Sequence, residues 1–228
     1  MKTIFNILLV VCGCCGYVFS AETPPKTGFI RLVQAVAPGT GSVNVRIDGE
    51  DLFPQGYDLG QCSGGMGFEV GEHRIEIVKP GVLRTTVKIS LAEGETVTLV
   101  AYAERRDPPA GAESRTKWKM MVLHLRQPPP APGFHLTMVS VSSREEIPVK
   151  TMMAGKRNPA VSLVRRIDPV GVPLGRSGGD MLDLQSGEMI LGHVSLDEKG
   201  EYVVILYDKE DGGLGMVSFY DPKHMIAG

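Results

Sequence analysis

Hydrophobic and polar residues alternate along much of this 228-residue chain with a period of two, the spacing of a β-strand with one wet face. In "VNVRID", residues 43–48, Val43, Val45 and Ile47 fall on one side and Asn44, Arg46 and Asp48 on the other. Gly49 follows, and Asp-Gly after such a run marks a tight turn. "FIRLVQAV" (29–36) sets Ile30, Leu32 and Val36 on one face. "HRIEIVK" (73–79), a Pro80-Gly81 turn and the run 83–91 continue the pattern, with Leu83, Val87, Ile89 and Leu91 alternating with polar residues. Runs 96–103 and 118–125 complete it. No stretch carries a sustained 3.6-residue period with caps. Short strands joined by turns predict an all-β sandwich over about a hundred residues.

The pattern then restarts. "QPPPAPG" (127–133) holds four prolines, which lack amide donors and cannot join a ladder, so it reads as a semi-rigid spacer. Beyond it "GFHLTMVSV" (133–141) echoes "GFIRLVQAV" (28–36) at an offset of 105, and "IPVKTMMAGK" more weakly echoes "VNVRIDGEDL". "SLDEKGEYVVILY" (195–207) echoes "SLAEGETVTLVAY" (90–102) with one residue inserted near Lys199, and "GMVSFYD" stands where "KMMVLHL" stood. The expectation is two tandem Ig-like β-sandwich domains, at 27–126 and 134–222. Residues 155–187, rich in Gly, Pro and Arg, read as a long irregular stretch and as the leading candidate for a recognition loop. "YVVILY" (202–207) is apolar on both faces, which fits either a central core strand or an interface.

Residues 1–20 read as an export signal: Lys2, an apolar run to Phe19, and small residues before a cut between Ser20 and Ala21. The run is too short to span a bilayer. An alternative processing, at the box Val11-Cys12-Gly13-Cys14, makes Cys14 a lipidated N-terminus. Both place the chain in the periplasm, at the outer membrane or at the cell surface. With 24 basic against 26 acidic side chains, the chain has no basic excess for nucleic acid or anionic lipid.

Candidate chemistry is sparse. Three of the four cysteines (Cys12, Cys14, Cys15) belong to the leader, so Cys62 has no internal partner, and the fold must rest on burial. Cys62 in "GQCSGG" is the candidate reactive or intermolecular thiol, with the plain reading an unpaired turn cysteine. The five histidines show no zinc spacing, the acidic clusters at 48–51 and 208–211 lack the spacing of a hard-cation loop, and "GRSGGD" lacks the phosphate-loop Lys. No catalytic residue, metal or cofactor is therefore assigned. Trp118, the one tryptophan, is either a packing residue with Met120 and Val122 or the centre of a surface aromatic site for sugars. An enzyme would need a polar pocket in 155–187 joined to His193 or Cys62.

Residues 28–104 resemble a family of bacterial envelope β-sandwich repeats, a domain of unknown function sometimes labelled anti-sigma-factor-like. The resemblance rests on "FIRLVQAVAP", "VNVRIDG", "GYDLG", "EVGEHRIEIV" and "LAEGETVTLVAY" in that order. Pro38-Gly39-Thr40-Gly41 stands where the family often has Asp-Ala-Pro. The resemblance implies an Ig-like sandwich, export and no catalytic residues. The functional expectation is an exported, non-catalytic structural or interaction module of the cell envelope, with envelope proteins or its own copies as partners. By fold analogy it belongs near pilus or adhesion machinery; a glycan-binding module is the alternative.

Overall fold

The computed structural model describes residues 26–107, 117–126, 132–153, 160–175 and 181–222. Ser20, Ala21 and Cys14 lie outside them, as does the spacer up to residue 131. The described chain is all-β, and its strands repeat one plan twice. The first half contains β1 (Thr27–Ala35), β2 (Asn44–Ile47), β3 (Glu50–Asp51), β4 (Met66–Glu69), β5 (Gly71–Lys79), β6 (Val82–Leu91), β7 (Thr96–Arg106) and β8 (Lys117–Arg126). The second contains β9 (Phe134–Ser140), β10 (Glu146–Met153), β11 (Ala160–Arg165), β12 (Val170–Gly175), β13 (Met181–Ser186), β14 (Met189–Ser195), β15 (Gly200–Asp208) and β16 (Leu214–Asp221).

In the second half these form two four-stranded sheets, β12-β9-β15-β16 and β11-β10-β13-β14. The first half has the same two layers, β4-β1-β7-β8 and β3-β2-β5-β6, joined at one corner through Val82 with Trp118 and Leu83 with Lys119. The sandwich is as expected, with its own strand order. Its opening strand lies between the fourth and seventh and runs parallel to the seventh in both halves, whereas the immunoglobulin order places the first strand beside the second.

Each half closes on its own core. Ile30, Leu32 and Leu99 of one sheet meet Ile75, Ile77 and Ile47 of the other in the first half. Leu136, Met138 and Val204 meet Val149, Leu182 and Leu184 in the second. At Asp48-Gly49 both residues have positive φ, 53° and 89°, between Ile47 and Glu50, which pair. This is the backbone of a type I′ hairpin, for which Asp-Gly is suited.

Two expectations need correction. The echo of the opening strand is one residue out of step, whereas the offset of 105 holds between β7 and β15, where Val97 matches Tyr202. Ile30 and Leu32 face inward beside Val97 and Leu99, and their counterparts are Leu136 and Met138 beside Tyr202 and Val204. The offset of 105 would send Ile30 to His135, which is outside the core. With a period of two, one slip exchanges core for surface, so burial fixes the register where sequence likeness cannot. Residues 155–187 are also not one long irregular loop, because β11, β12 and β13 occupy much of the span. In β12, Val170, Val172 and Leu174 do alternate, with Gly171 and Pro173 between them. Pro173 is tolerated because, among the described residues, β12 is an edge strand paired on one side, with β9.

The two halves pack sheet against sheet. The outward faces of β1 and β7 (Val33, Ala35, Val100, Tyr102) meet those of β9 and β15 (Val139, Val141, Val203, Ile205, Tyr207) in a third buried cluster. The doubly apolar "YVVILY" is thereby explained: Tyr202, Val204 and Leu206 fill the second core, and Val203, Ile205 and Tyr207 fill the junction. The Tyr207 hydroxyl lies where a side chain at Gly60 would begin, with only 2.3 Å to an added Cβ. At one end of the junction Arg31 Nη1 donates to Asp221 Oδ1 at 2.8 Å, both side chains almost wholly buried, and the guanidinium lies 4.4 Å from the Phe219 ring centroid.

Candidate functional site

At the opposite end of the junction the halves diverge and leave a cleft of about 950 Å3. Its first wall is the end of β7, Trp118 of β8 and the turn after β1; its second is the segment after β9, Arg166, and the β15–β16 turn.

The turn after β1 is held from below by Lys79. This lysine is 2 % exposed, and its Nζ donates to the Val36 carbonyl at 2.6 Å and the Ala37 carbonyl at 3.4 Å. Burial pushes its pKa down, while Glu210 and Asp58 pull the other way. Gly39 (φ +92°) closes the turn against Pro80, whose carbonyl leaves no room for a side chain (2.4 Å to an added Cβ).

Arg166 joins the walls. Its Nη2 donates to Glu104 Oε1 at 2.7 Å in the first half, its Nε donates to the Ser142 carbonyl at 3.0 Å in the second, and its guanidinium lies 5.7 Å from the Tyr102 ring centroid. Next to it, Ile167 has φ +61°, an uncommon and costly conformation for a β-branched residue. Its amide bonds the Ser140 carbonyl and its side chain packs on the junction cluster, contacts that hold it there. Asp208 accepts from the Ser142 hydroxyl and from the Ser143 amide (2.7 Å), and Arg144 donates to the Gly212 carbonyl at 3.3 Å, fixing the second wall. Burial, and then Glu104, push the Tyr102 phenol up, with Arg166 opposing.

Trp118 packs as the first of its two readings expected, and it also reaches the cleft. It is half-buried, packs on the first core together with Val122, and lines the cleft. One indole face amid charged groups of both signs suits recognition of a polar ligand with some apolar surface.

The remaining candidates are not brought to this site. Cys62 is half-buried against the junction cluster, bridges to Val33 and donates its thiol to the Ser63 carbonyl at 3.3 Å. Burial pushes its pKa up to about 11, so it stays a thiol near neutrality. His73 is bound by Asp48 (2.7 Å) and the Glu69 carbonyl (2.8 Å). His193 pairs with Asp183 at 2.6 Å on the outward face of β13 and β14. The convergence of His193 or Cys62 on a pocket within 155–187, which an enzyme reading required, is not found among the described residues. Among them, too, no group of three His, Cys, Asp or Glu side chains could hold a metal ion.

Arg144, Arg166 and Glu104 escaped the sequence reading because they lie far apart in the chain, Glu104 on β7 and the two arginines in the segments after β9 and β11. The one available signal was the arginine pair 165–166 beside Ile-Asp-Pro.

Fold and cleft together define a class, an all-β protein of two like sandwich halves with a cleft at their junction. No protein-family model matches the chain, and no curated protein matches it.

Proposed function

We propose that this protein is an exported, non-catalytic interaction module of the cell envelope that recognises its partner in the cleft between its halves. What carries the reading is the way the cleft is built. Arg166 bonds both walls, a strained Ile167 stands beside it, and a buried lysine holds the turn beneath. Such expenditure on a polar concavity is characteristic of binding sites. Export is read from the leader, membership of the envelope repeat family from its resemblance, and a place near pilus or adhesion machinery from fold analogy.

The test is capture from envelope fractions with the native protein and with Arg144→Glu. A partner retained by the first and lost with the second is expected; retention of the same partner by both overturns recognition in the cleft. A glycan ligand is the second reading, favoured by Trp118 on the cleft wall. It predicts a saturable change in Trp118 fluorescence on titration with a glycan panel, and a flat response throughout counts against it.

A further inference from the structure

The outward face of β11-β10-β13-β14 carries a row of side chains running straight across the sheet. Val161 pairs with Lys150, Lys150 with Gln185, and Gln185 with Ile190. Leu163 beside Pro148, together with Met152 and Met181, extends it along the strands. Val161 (65 % exposed) and Ile190 (60 %) are open to solvent, as are Leu163 and Met181. Among the described residues the six-residue edge strand β11 has no strand partner on its outer side. Flat apolar sheet faces with long bare edges are what soluble β-proteins ordinarily avoid or cover.

We infer that this face is a self-association surface, on which a second copy of the chain packs sheet to sheet about a twofold axis parallel to the strands. The chain already covers its other apolar sheet faces in this way, β1 and β7 against β9 and β15. The charges on the face also suit a copy of itself. Glu146 and Arg165 neutralise each other at 2.9 Å, leaving Lys150 on β10 and Asp183 on β13 with its partner His193 on β14. A twofold axis between the two central strands places β10 of each copy over β13 of the other, so the lysine of one approaches the acid of the other. A face with charges of both signs offers little to an anionic membrane. Four strands about 4.8 Å apart, each about six residues long at roughly 3.4 Å per residue, make a footprint of roughly 400 Å2. That is about half of what each partner gives to a standard interface, so the dimer is weak and reversible.

The inference uses no residue of the cleft and stands or falls apart from it. Sedimentation velocity of the purified protein, in reductant so that Cys62 cannot cross-link, is expected to show reversible dimers with a Kd of about 10–100 μM. The double substitution Val161→Thr with Ile190→Thr keeps β-propensity while removing apolar surface. It is expected to weaken association at least about tenfold without lowering the melting temperature. Arg84→Ala, on the corresponding face of the first half, is expected to leave association unchanged. A protein monomeric up to about 1 mM, or dimers that survive the double substitution, overturns the inference. So does equal weakening by Arg84→Ala, or flotation of native monomers with neutral phosphatidylcholine vesicles that the double substitution abolishes.

Discussion

Counting back from their strand ends, Arg46 of the first half corresponds to Met152 of the second, since each lies between inward residues that pair across to β5 and β13. By the same registers Arg74 corresponds to Met181 and Glu76 to Asp183. One sheet plan thus carries two unlike outer faces. On the first half the face is charged and paired, Arg84 with Glu76 at 3.2 Å and Lys88 with Glu72 at 4.0 Å, and its edge is the two-residue acidic strand β3. On the second, Val161, Leu163, Met181 and Ile190 stand exposed among fewer charges, with a six-residue edge. The inward faces did not diverge in this way, because both must fill a closed core. What duplication leaves free to change is the side that no core constrains. A charged face and a short charged edge keep a sheet solitary, and loss of both prepares it for company.

The strongest way to break the comparison is to separate the halves. Arg31 and Asp221 form a pair at 2.8 Å that water barely reaches, with Thr98 as a further partner of the guanidinium. Removing one member strands the other in the junction. Asp221→Ala is expected to cost about 3–5 kcal/mol in urea denaturation. If the junction alone couples the halves, the single transition of the native protein splits into two. A loss below about 1 kcal/mol would show that the pair is solvated and the halves are held by the apolar cluster alone.

Next in size are matched core deletions. Ile75 and Leu182 occupy corresponding inward positions on β5 and β13, and both are fully buried. Each cut to Ala is expected to cost about 2–5 kcal/mol by chemical denaturation. Near-equal costs would show that the open corner between β14 and β16, where the first half has its β6–β8 pairing, leaves the second core as well packed as the first. A cost at Leu182 smaller by about 2 kcal/mol or more would show a second half that relaxes around the cavity.

How much of this was legible follows from which constraints act locally. Alternation revealed β2 and β5, and Asp48-Gly49 revealed its hairpin, because strand period and turn chemistry are properties of neighbouring residues. The run "YVVILY" disclosed that both its faces are covered. β12 escaped because Gly171 and Pro173 look like loop, and only pairing on one side makes them admissible in a strand. β4, four residues beside a glycine-rich turn, was too short to declare itself. The register slip between halves came from matching letters where the core matches faces. Trp118 was visible as a lone aromatic, but the cleft it lines, and the partnership of Arg31 with Asp221 across 190 positions, exist only once the halves are docked.

The smallest effect tests a device confined to the first half. His73, buried under Phe68, places one ring nitrogen on Asp48 and the other on the Glu69 carbonyl. Burial disfavours its charge, but the Asp48 hydrogen bond and the Glu69 carbonyl together outweigh it, and the imidazole pKa is raised above its ordinary 6.5. Asp48 is lowered, first by the Arg74 amide and then by His73. The signs then follow from linkage. A group whose folded pKa is raised stabilises fully below its unfolded pKa and loses that contribution as pH rises through the folded value. The lowered carboxylate stabilises above its unfolded pKa and loses its share as pH falls through the folded value. Between the ordinary carboxylate range and about 6.5 both contributions are present, so the stability of the hairpin is greatest there. His124, pushed down by burial and then by Arg126, acts in the opposite sense over the same window, so the readout is a difference: from pH 8 to pH 5.5 in urea denaturation the native protein should gain stability relative to His73→Gln, which keeps a donor but cannot titrate. An unchanged pH slope in the variant would place the titrating group elsewhere and leave His73 as a neutral hydrogen-bonding strut.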